Sequence, residues 1–166
     1  MSENNPETTS EILEKALRSV PAPVAIIGAA SDGVLGGLTA AWVTRVSLDP
    51  AMLLVSVGHS RFTWGLMNSS SEFTVSLPTT SQVDEARFFG LKSRRDVDKW
   101  AEVDHVLLGE GIPALRHCTT RFLCRKTDVL RTGDHDCFVG LVIGAEKISD
   151  EKALPMRGAD YAPRGD

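Results

Sequence analysis

The chain has 166 residues, 42% of them hydrophobic and 24% charged, with a formal net charge of -4, which fits one soluble domain with a core of its own. An acidic balance does not favour DNA, RNA or anionic membranes, which need basic patches, and no apolar run approaches the length of a membrane span. The opening MSENNPETTSE lacks the basic and apolar regions of a signal peptide, and the three cysteines Cys118, Cys124 and Cys137 suit a reducing compartment, so a cytoplasmic location is expected.

Met1 to Thr9 is polar and reads as disordered. Ser10 stands where it could cap a short helix over Glu11 to Ser19, with Ile12, Leu13, Ala16, Leu17 and Val20 forming an apolar stripe. Pro21-Ala22-Pro23 ends it. Val24 to Ala29 is a buried type of strand, and Ser31-Asp32-Gly33 signals a hairpin. After Gly36-Gly37 comes a strand over Leu38 to Val46, whose alternation puts Leu38, Ala40, Trp42 and Val46 on one face. A turn at Ser47-Leu48-Asp49-Pro50 leads to Met52 to Val57, apolar throughout as in a central strand. Ser60 to Asn68 suits a short helix. Phe73, Val75 and Leu77 alternate with Thr74 and Ser76, the signature of a half-buried strand.

Ser81-Gln82-Val83-Asp84 resembles a capping box and predicts a helix that stops at Gly90. Leu91 to Asp104 is charged and either helical or irregular. Gly109, Gly111 and Pro113 mark a loop. Thr119 to Leu130 and Cys137 to Ile148 are two more strands, joined by Arg131-Thr132-Gly133-Asp134-His135-Asp136. The segment after Asp150 is polar and has no period. At least six short strands, with helices inserted rather than alternating, argue against a doubly wound sheet. They favour a mainly β fold, an antiparallel barrel with a few helices.

Four groups of residues could carry chemistry. Ser60, Arg61 and Thr63 stand at a helix start, where unpaired N–H groups and the positive dipole end suit a phosphate and Arg61 adds a bidentate contact. On that local pattern alone, an ordinary serine cap beside a solvated arginine is favoured. Gly36-Gly37 followed by Thr39-Ala40-Ala41 would let a ligand lie close to the backbone, or would simply make a turn and a packed strand. His135 in Gly133-Asp134-His135 could donate a proton near neutral pH, or the segment could be a turn stabilised by its Asp. His117, Cys118, Cys124, His135 and Cys137 match no metal-ligand spacing, so no metal site is expected, and Cys124 and Cys137 read as small buried apolar residues. No Walker loop, dinucleotide glycine fingerprint or nucleophile elbow is present.

In this order the pieces resemble the flavin reductase-like family, the FMN-binding split barrels, and its flavoredoxin branch. The matching segments are TAAWVTRVSLDP (Thr39 to Pro50), SRFT (Ser60 to Thr63), EFTVSLP (Glu72 to Pro78), RRDVDKW (Arg94 to Trp100) and GDHDCFVGLV (Gly133 to Val142). Gly37 stands where the family often has Asn, and Phe88-Phe89-Gly90 where the branch tends to have a Cys. The C-terminal Ala159 to Pro163 is similar to the family's Gly-Tyr ending.

The resemblance implies a split-barrel domain over residues 21–150, flanked by a tail and short helix at 1–20 and a tail at 151–166. It implies FMN, with FAD as the alternative flavin, held at a homodimer interface, and hydride transfer from NADH or NADPH. Thr39, Ala40, Ala41, Trp42 and Val43 would line the flavin largely through backbone. Ser47 would sit nearby, Ser60, Arg61 and Thr63 would hold the phosphate, and His135 would lie by the reacting rings. A monooxygenase or another electron-acceptor protein would be the partner that takes the electrons, and the final acceptor stays open. The alternatives are a fixed FMN passing electrons to a protein partner, or a flavin-binding barrel without reductase activity.

Overall fold

A computed structural model describes residues 9–158. Nine strands and four helices follow one another as α1 (Ser10–Arg18), β1 (Ala25–Ser31), β2 (Val34–Ala40), β3 (Val43–Leu48), β4 (Ala51–Gly58), α2 (Phe62–Ser69), β5 (Glu72–Leu77), α3 (Val83–Leu91), α4 (Lys99–Glu102), β6 (His105–Leu108), β7 (Ile112–Leu115), β8 (Thr120–Arg131) and β9 (His135–Lys147). Seven strands form one antiparallel sheet in the order β2-β1-β5-β8-β9-β4-β3.

The two edge strands of that sheet, β2 and β3, are separated in the chain only by Ala41 and Trp42. Consecutive Cα atoms lie about 3.8 Å apart, so the sheet must curl until its edges meet. The amide of Ser56 donates to the carbonyl of Trp42 at 2.9 Å, which carries the β3–β4 ladder one residue past β3 to this junction. This is the expected mainly β barrel with a few helices. The single strand expected over Leu38 to Val46 is instead two strands broken at 41–42. Leu38 and Ala40 are buried while Trp42 and Val46 are exposed, so the four residues do not share a face. The Ser31-Asp32-Gly33 hairpin is present, with φ of 51° at Asp32 and 76° at Gly33, the left-handed pair that a two-residue turn requires.

Ile27, Val55, Val57, Phe73, Val75 and Phe138 fill the barrel with Met67 of α2. A second cluster, Ile26, Phe89, Trp100, Leu115 and Cys118, packs α3, α4 and β7 on the outside. β6 and β7 form a separate hairpin; the loop expected at Gly109, Gly111 and Pro113 is its turn at 109–111, with both glycines at positive φ, while Pro113 already belongs to β7. The hairpin covers the outer face of β5: Thr74 donates its hydroxyl to the carbonyl of Pro113, and the amide of Leu115 donates to the Ser76 hydroxyl at 3.1 Å. β5 is therefore buried on both faces rather than half-buried.

The helix starts also differ in detail. Thr9, not Ser10, caps α1, accepting from the amide of Ile12. Its apolar stripe touches no core: Ile12, Leu13, Leu17 and Val20 are all exposed. No capping box forms at Ser81-Gln82-Val83-Asp84; the Gln82 side chain instead accepts from the amide of Thr79 at 2.9 Å, and α3 runs one residue past Gly90. The aperiodic segment after Asp150 contributes Leu154, which is buried with Val24 and Ala86. The match at Ala159 to Pro163 and all but the last residue of the expected disordered stretch lie outside the described residues.

Candidate functional site

Two cavities meet at the barrel seam, and both are lined by Leu38 and Arg61. The first, about 160 Å³, is walled by Gly37 of β2, the start of α2 and the segment from Phe89 to Arg95. It gathers five cations, Arg61, Lys92, Arg94, Arg95 and Lys99, and no carboxylate.

Local sequence explains this concentration. α2 begins at Phe62 with Arg61 as N-cap and no capping side chain, so the amides of Phe62 and Thr63 have no acceptor among the described residues, while that of Trp64 donates to the Arg61 carbonyl at 3.0 Å. The buried Thr63 hydroxyl, on a residue 2% exposed, has no hydrogen-bond partner among the described residues. A buried, unpaired hydroxyl costs on the order of 1–3 kcal/mol, and a visiting acceptor would relieve that cost. Arg61 itself reaches only the carbonyl of Gly90, at 3.3 Å. Arg94 is fixed by the carbonyl of Leu35 and by Asp98. Arg95 lies over the Phe62 ring, 5.7 Å from its centroid.

The second cavity, about 240 Å³, is lined by Thr39, Ala40, Ala41, Trp42, Gly58 and His135, among others. Its walls are small because residues 39–41 carry small side chains. The Thr39 hydroxyl is turned away, donating to the carbonyl of Ala86 at 2.6 Å. The seam leaves the Ala41 and Trp42 amides without an acceptor among the described residues. The His135 ring stacks against Trp42 with centroids 4.5 Å apart, and its Nδ1–H donates to Asp134 at 2.6 Å. That bond, and the attraction behind it, hold the Asp134 carboxyl below the usual carboxylate range.

Of the residues singled out in the sequence, Thr39, Ala40, Ala41, Trp42 and His135 line the second cavity, and Ser60, Arg61 and Thr63 line the first. Ser60 does not cap α2; its carbonyl accepts from Arg95 at 3.4 Å. Val43 and Ser47 line neither. They border a separate, almost wholly apolar groove of about 530 Å³ with Leu48, Met52, Phe122 and Val142. The glycine pair serves packing: a Cβ on Gly36 would meet Leu66, and one on Gly37 would meet Phe89 and Trp100.

Two features escaped sequence reasoning. Lys99 lies in a stretch that reads only as charged, yet it is 3% exposed, its ammonium donating to the carbonyls of Phe89 and Lys92. Asp136 is 4% exposed; it accepts from Trp64 Nε1 at 2.9 Å and pairs with His59 Nε2 at 3.0 Å. Those hydrogen bonds, that from His59 foremost, lower its carboxyl below the usual range. No periodicity pairs residues 77 apart in sequence. Burial pushes the thiols of Cys118 and Cys124 up to about 11 and about 12, so neither is a thiolate near neutrality. Cys137 is half-buried. Among the described residues no three His, Cys, Asp or Glu side chains gather into a metal-binding group, and no helix is long and apolar enough to cross a membrane.

A family model described as the flavin reductase like domain matches residues 17–162. The chain belongs to that family. This flavin reductase like domain is 31% identical over 128 residues to a probable flavin reductase of Rhizobium meliloti, covering 77% of this chain and 40% of the relative. Its fold superimposes on an FMN-binding protein of Thermus thermophilus, solved with bound p-hydroxybenzaldehyde, with a TM-score of 0.79 and 29% identity over 86% of this chain and 85% of the other. An NADH:FAD oxidoreductase of Streptomyces globisporus gives a TM-score of 0.83 at 26% identity, over 92% and 93% of the two chains. The domain spans 40–63% of the length of the first four curated relatives it matches.

Proposed function

We propose that this chain is an oxidoreductase of the flavin reductase type, which takes FMN into the two joined cavities and reduces it with NADH or NADPH. The observation that carries this reading is the buried, unpartnered Thr63 hydroxyl in a five-cation pocket, opening into a cavity lined by small residues. One end suits a phosphate and the other a flat ring. The Thermus relative is named for FMN and the Streptomyces relative for NADH and FAD, which supports flavin and nicotinamide chemistry and keeps FAD as the alternative flavin.

Flavin, when bound, would supply the hydride acceptor. Arg61, Thr63 and the first amides of α2 would bind its phosphate. The free N–H groups of Ala41 and Trp42 would donate to the ring edge where negative charge develops on reduction, an arrangement that needs no reorganisation during the reaction. Asp134 fixes the His135 ring and its tautomer, leaving Nε2 to face the cavity side at Gly58. The unit that holds flavin is taken as residues 21–150, with 1–20 and 151–166 flanking it. The apolar groove at Val43 and Ser47, with Leu48 80% exposed beside it, is assigned to a homodimer contact, since monomers rarely leave such surface open. A paired monooxygenase or another electron acceptor is the outlet for reduced flavin.

The test titrates wild type and Arg61→Ala with FMN and riboflavin. Losing a contact to a charged group costs roughly 1.5–3 kcal/mol, so FMN affinity should fall about ten- to a hundredfold while riboflavin affinity holds. Equal losses for both ligands would refute the phosphate assignment. NADH oxidation that rises with added free flavin supports reductase turnover. Oxidation that needs a protein acceptor instead supports the fixed-FMN alternative, and no flavin binding at all refutes the whole reading.

A further inference from the structure

Side chains change face at every residue of a strand, and at the start of β9 two neighbours look opposite ways. In the β4–β9 ladder His135 pairs with Gly58 and Asp136 with Val57, and ladder partners share a face. His135 looks out over Gly58 into the ring cavity. Asp136 looks in, on the side of the core residue Val57, where a carboxylate is tolerated only if its oxygens are engaged. Each oxygen has a donor: Oδ1 takes His59 Nε2 at 3.0 Å and Oδ2 takes Trp64 Nε1 at 2.9 Å. The two rings also meet edge to face, their centroids 5.5 Å apart. One carboxylate thus ties together β9, the turn after β4 and the first turn of α2. The backbone repeats the connection, with the amide of His59 donating to the carbonyl of Asp134 at 3.1 Å and that of Arg61 to the carbonyl of Gly58 at 3.0 Å.

We propose that Asp136 is a positioning residue of the flavin site: it pins the turn after β4 through His59 and the first turn of α2 through Trp64, so that Arg61 and Thr63 stand at a fixed distance from the ring cavity that His135 lines. The inference rests on the flavin reading above and adds to it a residue that touches no flavin. Arg61 lies between the two anchored residues in the chain, two from His59 and three from Trp64, and Thr63 directly precedes Trp64. Little chain is left to absorb a shift of either ring, and binding groups must be held to within about 0.5 Å of their working geometry. Arg61 has need of such a hold. It shares its cavity with Lys92, Arg94, Arg95 and Lys99, and its own side chain reaches only the carbonyl of Gly90. Its repulsion is felt at Lys99, whose ammonium is lowered to about 8 by burial first and then by Arg61. Cations gathered without an anion push one another apart, so the empty site keeps its shape through the backbone that carries them, and at Arg61 that backbone is fastened to Asp136.

The experiment measures FMN and riboflavin affinity by fluorescence quenching of the whole chain in wild type, Trp64→Phe, Asp136→Ala and Asp136→Asn, each with and without Arg61→Ala. Trp64→Phe keeps an aromatic ring and removes the N–H. It should lower FMN affinity about three- to tenfold and leave riboflavin affinity unchanged, which also reports an intact fold. Asp136→Ala, which frees both rings, should lose about tenfold or more for FMN alone. Asp136→Asn should recover part of that loss, because its amide can accept from Trp64 and donate to a neutral His59. In the Arg61→Ala background each of these losses should shrink to about twofold, since residues that act through one contact do not add. Equal losses for the two flavins would overturn the proposal and leave Asp136 a stabilising core group, as would losses fully additive with Arg61→Ala. Wild-type FMN affinity in both Trp64→Phe and Asp136→Ala would overturn it too. Should Asp136→Ala fail to fold, Trp64→Phe and Asp136→Asn decide. If Arg61→Ala alone leaves FMN affinity unchanged, the phosphate assignment falls and this inference with it, while the ring cavity stands. If wild type binds neither flavin, the flavin reading itself falls.

Discussion

Gly36 and Gly37 are neighbours on β2, point to opposite faces, and should respond very differently to a single added methyl. On Gly37 a Cβ would lie 2.8 Å from Cε1 of Phe89 and 2.9 Å from Cζ2 and Nε1 of Trp100. Comfortable carbon contacts are about 3.5–4.0 Å, so both rings would have to retreat by more than half an ångström. They have nowhere to go. Each is 1% exposed, their centroids are 4.6 Å apart, and Trp100 is tied to the carbonyl of Gly36 at 2.9 Å. Overpacking of this kind costs about 1–3 kcal/mol. At about 2–4 °C per kcal/mol for a chain of this size, Gly37→Ala should lower Tm by about 2–12 °C. On Gly36 the Cβ would meet Leu66 Cδ1, the end of a half-buried side chain that can turn aside. Reduced freedom of the unfolded chain returns about 0.4–1 kcal/mol, so Gly36→Ala should sit near wild type. Thermal unfolding followed by circular dichroism decides it. Equal losses at both positions, or a neutral Gly37→Ala, would refute the packing argument.

Thr74→Val should lower stability by about 1–3 kcal/mol in chemical denaturation, because the Pro113 carbonyl loses its buried donor. Ending the chain after Asp150 should lower Tm, since Leu154 no longer covers Val24 and Ala86. Asp136→Asn should destabilise the protein most above about pH 4. The depressed carboxyl of Asp136 contributes stability that is complete above its unfolded pKa and lost as pH falls through the folded one, so the difference from wild type should shrink in acid. Ligand-free wild type should gain stability relative to Lys99→Met as pH rises from about 8 towards 10.5. Across that window the unfolded chain binds the proton that the folded one has released; a parallel pair of Tm–pH curves would contradict this.

What the sequence made legible was local. Asp32-Gly33 marks a hairpin because only a left-handed pair closes a two-residue turn, and the alternation in β5 marks a strand because side chains change face at every residue. The joined cavities were partly legible, since a resemblance carried by Thr39–Pro50 and Ser60–Thr63 drew attention to both. Other features depend on what packs against an element from elsewhere in the chain. Thr74 and Ser76 look solvent-facing until β7 covers them. Gly109 and Gly111 mark the turn they make, but the two short strands on either side of it, β6 and β7, stay hidden because they gain their stability by lying on β5. The burial of Lys99 is not legible because nothing nearby in sequence announces the two carbonyls that hold it. The stripe on α1 is a true helical period with no surface of its own barrel beneath it. Leu38 to Val46 keeps strand character throughout, and the break at 41–42 arises only because the sheet has to close there.

That closure has a mechanical consequence. A cylinder resists widening through the bonds that run round its circumference, and here the hoop is completed at Ala41 and Trp42, which also line the ring cavity. The cavity therefore cannot open wider without strain falling on the two-residue link at Ala41 and Trp42 that ties the edge strands together, and a flat molecule seated there would act as a rivet across it. Entry and exit of such a molecule draw on the give of this one link.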